Sequence, residues 1–103
     1  TPGVLLFSQE ALDNKAESIK ALYRGYNRAV EELNKSVVEY LDVIVEKGDF
    51  PPRVRDTMVV PHYDRAHVPS RGLYADVTAW MSAKGLAESA PEYEELITEE
   101  YLP

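Results

Sequence analysis

The chain has 103 residues, no cysteine and a formal net charge of −7, which favours one domain at most and excludes disulfides and thiol chemistry. Hydrophobic residues make up 45% of the sequence, too many for a disordered chain, and no apolar run approaches the ~20 residues that span a bilayer. Residues 86–103 contain six glutamates and no lysine or arginine, so the sequence predicts no nucleic-acid partner.

The first predicted element is the apolar run Val4-Leu5-Leu6-Phe7, which follows a Pro-Gly pair. A continuous run of this kind predicts a buried strand. The sequence offers it no convincing partner, because Val59-Val60 is the other candidate and Pro61 cuts that run short. The chain also begins without methionine or a visible signal peptide. We therefore expect it to be a piece of a longer protein that holds the strand's neighbours.

A helical pair is predicted over residues 8–48. Residues 8–12 predict one helical turn, and Asn14 with Glu17 predicts a capping box at the start of a helix over about residues 15–34. The apolar face of this helix recurs at steps of three and four residues: Ile19, Leu22, Tyr23, Tyr26, Ala29, Val30 and Leu33.

The second helix of the pair is predicted to begin at Ser36, which forms a capping box with Glu39. It is expected to end near Lys47, with Gly48 in a left-handed conformation. The joint between the two helices is short, which favours an angled or antiparallel pair.

A Pro-rich loop is predicted over residues 49–69, with one turn opened by Pro52. Residues 70–103 are predicted to hold the C-terminal helices. Ser70 caps a helix over about residues 71–84, and Gly85 closes it in a Schellman-type turn. The expected inward face of this helix is Leu73, Val77, Trp80 and Met81, with the tryptophan as a core anchor. Residues 89–91 are expected to start one more short helix, which makes the chain mainly α, with one strand and three to five helices.

Residues that could carry chemistry are few. His62, Asp64 and His67 are of types that bind zinc, but their spacing matches no established site, and two exposed loop histidines are the favoured interpretation. Tyr63 and Tyr74 are candidates for lining a cleft or an interface.

Four arginines, Arg53, Arg55, Arg65 and Arg71, form the basic region of the chain. The planar guanidinium group of arginine, with its several N–H donors, binds anionic ligands well. The favoured interpretation is nevertheless that these arginines neutralise the acidic C-terminal stretch. The pairs Glu94-Glu95 and Glu99-Glu100 are expected to be solvated rather than catalytic. No nucleophile elbow, phosphate loop or dinucleotide fingerprint is present, so we predict no enzyme, no metal and no cofactor.

The order of these motifs resembles the C-terminal part of periplasmic substrate-binding proteins of ABC importers, in the class that takes up nitrate, sulfonates and taurine and includes thiamine-precursor binders. The segments that carry the resemblance are VLLFSQEALDNKAESIKALYRGYNRAVEELN, VIVEKGDFPPRVRDT, VPSRGLYADVTAWMSAKGL and YEELITEEYLP. Together they cover nearly the whole chain, although each motif is loose.

The resemblance implies a two-lobed α/β parent of the type II periplasmic-binding-protein fold, in which residues 1–7 form a crossover strand and residues 8–103 complete the first lobe. The parent would bind a sulfonate, a nitrate-like anion or an aminopyrimidine and deliver it to a membrane permease. A periplasmic or extracellular location follows, with lipid anchoring left open.

The chain departs from this family in two respects. Lys15-Ala16-Glu17 stands where members often have Pro-Glu, and members are much longer. The family's ligand is held mostly by segments that this chain lacks, so no ligand-binding residue is carried over. The alternative function is a small helical module that binds a protein partner or a second copy of itself.

Overall fold

The computed structural model describes residues 3–103 of the chain, and these residues are mainly helical, as predicted. Five α-helices follow one another: α1 (Gln9–Asn14), α2 (Ala16–Lys35), α3 (Leu41–Lys47), α4 (Arg71–Ala83) and α5 (Tyr93–Leu96). Short 3-10 helices cover Val37–Tyr40 and Pro52–Val54. The chain divides into two compact units, of which the first comprises residues up to 20 together with residues 67–103, and the second comprises residues 21–66.

The strand predicted over residues 1–7 is not formed by the residues that the structure describes, 3–7. Residues 1 and 2 lie outside the described part, and residues 3–7 have no strand assignment, nor has any other described residue. The side chains of Val4, Leu5 and Leu6 are 62%, 55% and 82% exposed. A strand needs a neighbouring strand, and none is assigned within residues 3–103, so residues 4–6 stay irregular and largely uncovered.

Neither predicted capping box is formed, although Ser36 does stand at the predicted N-cap position, before the 3-10 helix Val37–Tyr40. Asn14 is the last residue of α1 rather than a cap, and α2 begins directly after Lys15. The cap in this region is Ser8, whose Oγ accepts from the N–H of Ala11 at 3.1 Å. Ser36 precedes a 3-10 helix and makes no side-chain capping bond, so the second predicted capping box is not formed either.

The predicted end of the second helix near Lys47 is confirmed by α3, but the left-handed residue lies one position later than predicted. Gly48 has an ordinary right-handed φ of −84°, whereas Asp49 takes the left-handed conformation with φ 55°. The N–H of Phe50 donates to the Val45 carbonyl at 3.0 Å, the 6→1 bond of a Schellman close. Glycine is needed at position 48 for space, because a Cβ there would lie 2.5 Å from the Phe50 ring.

The limits of α4 are confirmed. The Oγ of Ser70 accepts from the N–H of Leu73 at 3.1 Å. At the other end, the N–H of Leu86 donates to the Met81 carbonyl at 2.9 Å, and Gly85 takes the left-handed φ of 70°. Both ends of this helix therefore follow the local rules for caps.

The orientation of α4 is not the predicted one. Leu73, Val77 and Trp80 are exposed, the tryptophan at 56%, so Trp80 is not a core anchor. The half-covered stripe of the helix consists of Tyr74, Thr78 and Met81.

Apolar burial is modest throughout the described residues. The hydrophobic side chains that are buried belong to Ile19 in the first unit and Val30 in the second, both on α2. Leu22 and Tyr26, which the sequence placed on the same inward face, remain 51% and 39% exposed. None of the described helices is long and apolar enough to cross a membrane.

Candidate functional site

Polar side chains on one face of α2 hold the irregular segment 63–66 against this helix in the second unit. The side-chain amide of Asn34 donates to the Tyr63 carbonyl at 2.7 Å, and its Oδ1 accepts from the Tyr63 N–H at 3.3 Å. One turn away, Glu31 pairs with Arg65. Asn27, which is 5% exposed, accepts from the Ala66 N–H at 2.7 Å. Positions 27, 31 and 34 lie on one face of a helix, so these three residues anchor one strap, defined here as residues 63–66.

An apolar cavity of about 400 Å³ opens beside this strap. Its walls come from α2, from α3, from Phe50 and from the irregular segment 58–63. The lining residues are Tyr26, Ala29, Val30, Leu33, Ile44, Phe50, Met58, Val59, Val60, Pro61 and Tyr63. Tyr63, which the sequence offered as a candidate for a cleft or an interface, is one of these lining residues.

The chemistry of this cavity is limited by its lining. The side-chain groups that can form hydrogen bonds there are the two phenols, of Tyr26 and Tyr63, and no lining residue carries a charge. Such a surface can accept apolar groups, because their transfer from water is favourable. It does not suit a sulfonate or nitrate, which require cationic or well-oriented donors.

Three of the four arginines of the basic region are engaged by carboxylates. Arg55 pairs with Asp42 and, at 2.6 Å, with Asp56, and Arg65 pairs with Glu31 as described above. Arg71 pairs with Glu94. The expected neutralisation of the acidic C-terminal stretch is thus confirmed for Arg71, whereas Arg55 and Arg65 neutralise acids elsewhere in the sequence.

The Arg71–Glu94 pair belongs to an aromatic cluster in the first unit. The guanidinium of Arg71 lies 4.5 Å from the centre of the Tyr93 ring, close enough for a cation–π interaction. The rings of Tyr74 and Tyr93 meet edge to face with centroids 5.7 Å apart. The Tyr74 hydroxyl donates to the Pro91 carbonyl and the Tyr93 hydroxyl donates to the Pro69 carbonyl. These contacts hold α5 against the start of α4, so Tyr74 has a structural role here.

The pKa of the Glu94 carboxyl lies below its ordinary value, first because of the hydrogen bond from Arg71 and then because of a backbone hydrogen bond. A carboxyl whose pKa is lower in the folded state contributes stability above its unfolded pKa, and this contribution is lost as the pH falls through the folded pKa.

We expect Arg71→Ala to raise the pKa of Glu94 towards the ordinary value, as measured by carboxyl carbon NMR titration. The pKa of Glu32, which Lys35 lowers, should not change and is the internal control. An unchanged pKa of Glu94 in the variant would show that Arg71 is not the cause.

The histidine candidates have exposed positions. His62 Nε2 lies 3.8 Å from the Asp64 carboxylate, and both side chains are about three-quarters exposed. The Nδ1 atom of His67 lies 3.1 Å from the Val68 carbonyl. Within residues 3–103, no group of three histidine, aspartate or glutamate side chains is placed to hold a metal ion.

The glutamates of the C-terminal stretch also have structural partners or remain in solvent. Glu95 accepts from the N–H of Glu92 at 3.0 Å, and Glu92 is the N-cap of α5, so the helix begins at Tyr93 rather than at residues 89–91. Glu99 and Glu100 are exposed. These carboxylates therefore lack the desolvated setting that acid–base catalysis uses.

Sequence reasoning missed Asn27 and Asn34, the two side chains that fix the strap. The sequence did contain a pattern that could have indicated them, because Asn27 and Asn34 are seven residues apart on α2 with Glu31 between them, which places all three on one face of the helix. Comparison with known proteins adds no further assignment, because no family model, curated protein or solved structure matches the chain.

Proposed function

We propose that this chain is the C-terminal segment of an extracytoplasmic solute-binding protein that captures a small molecule for import by an ABC transporter. In this proposal the segment completes the first lobe of the parent and does not contact the solute. The parent delivers a sulfonate, a nitrate-like anion or an aminopyrimidine to a membrane permease. The order of the sequence motifs suggests the family, and the structure contributes a separate physical argument.

The observation that carries the proposal is the uncovered apolar run at residues 4–6. Leu6 is 82% exposed, and a continuous apolar run of this kind is typical of strands covered on both faces of a sheet. The exposed stripe of α4, formed by Leu73, Val77 and Trp80, adds a second surface that favours burial. Exposed apolar surface of this kind marks a place where further protein packs, and the missing part of a lobe would supply it.

The state of the charged groups supports a packing role over solute binding by this segment. Arg55, Arg65 and Arg71 are engaged by carboxylates, and the apolar cavity offers no charged partner for an anion. We therefore expect the isolated chain to show no thermal shift with taurine, nitrate or an aminopyrimidine at millimolar concentration. A reproducible rise in melting temperature with one of them would contradict the assignment of the solute site to other segments.

The proposal for the whole protein is tested on the gene. Sequencing upstream of the Thr1 codon should give a reading frame long enough for two lobes, preceded by an export signal. Equilibrium dialysis of the complete protein against the three solutes would then identify the ligand. A reading frame without an export signal or a second lobe would overturn the proposal.

A second candidate function is self-association, and the same exposed run at residues 4–6 favours it, because unpaired extended segments can add to one another. Sedimentation velocity at micromolar concentration distinguishes self-association from the role as a segment of a solute-binding protein. A specific dimer that Leu5→Asp abolishes would favour a helical module that binds a second copy of itself. Val59→Asp is the matched control, because Val59 is 91% exposed and lies outside this segment. A monomer at all concentrations would exclude this candidate.

A further inference from the structure

We draw no further inference here: the strongest candidate, the apolar cavity between α2, α3 and residues 58–63, is an uncovered apolar surface, and nothing in the structure shows what covers it.

Discussion

Replacing Asn27 with alanine is expected to lower the free energy of unfolding by about 2 kcal/mol, within the range for a buried donor that loses its partner. Asn27 is 5% exposed, and its Oδ1 accepts from the Ala66 N–H at 2.7 Å. In the variant this N–H would stay beside the truncated side chain without that acceptor. Urea unfolding followed by far-UV circular dichroism gives the change as a shift of the midpoint at constant slope.

The matched control is Glu31→Ala on the same face of α2. Glu31 holds the same strap through its ion pair with Arg65, but both side chains are about half exposed. Exposed ion pairs contribute about 0–1 kcal/mol, so the control should unfold close to the wild type. If the two variants lost the same free energy of unfolding, the burial of Asn27 would not add to the stability of this contact.

The parts of the fold that the sequence predicted best depend on neighbouring residues. Ser70 and Gly85 mark the two ends of α4, and each acts through hydrogen bonds that span three to five residues. Such signals lie within one turn of the helix, so they can be recognised without knowledge of the tertiary structure. The two predicted capping boxes fail for different reasons. Asn14 is the last residue of α1, whereas Ser36 stands at the predicted N-cap position but makes no side-chain capping bond.

The orientation of α4 could not be predicted from its own residues. This helix has two stripes with apolar members, one with Leu73 and Trp80 and another with Tyr74 and Met81. The second stripe is half-covered because the Tyr74 ring contacts Tyr93 and its hydroxyl bonds to the Pro91 carbonyl. Those partners lie 17 to 19 residues further along the chain, and helical periodicity carries no information about them.

The contacts of the candidate site could not be predicted for a similar reason, although the sequence does place Asn27, Glu31 and Asn34 on one face of α2. The strap meets α2 through bonds between residues 29 to 39 positions apart, and asparagine is common on solvated helix surfaces. The predicted apolar face of α2 did identify one buried wall of the cavity, Val30. The backbone groups held by Asn27 and Asn34 become partners only when the loop folds back along the helix.

Gly48→Ala is expected to destabilise the second unit by about 1–3 kcal/mol, the usual cost of forcing extra volume into a packed position. The added Cβ would lie 2.5 Å from the Phe50 ring and 2.7 Å from the Ile44 carbonyl oxygen. The ring is 45% exposed and can move aside, whereas the carbonyl is fixed because it accepts from the Gly48 N–H at 2.8 Å. The midpoint of chemical unfolding should therefore fall.

The adjacent variant Asp49→Gly tests the same turn in the opposite direction. Asp49 has a φ of 55°, a left-handed conformation that costs a non-glycine residue about 1–2 kcal/mol, and glycine removes this cost at the expense of about 0.5–1 kcal/mol of chain entropy. The net result should be a gain of up to ~1 kcal/mol in the free energy of unfolding. If Asp49→Gly lost stability instead, Asp49 would not be the left-handed residue of this turn, and a Gly48→Ala variant as stable as the wild type would show that position 48 does not require glycine. The two variants thus decide whether space or backbone conformation requires glycine at position 48.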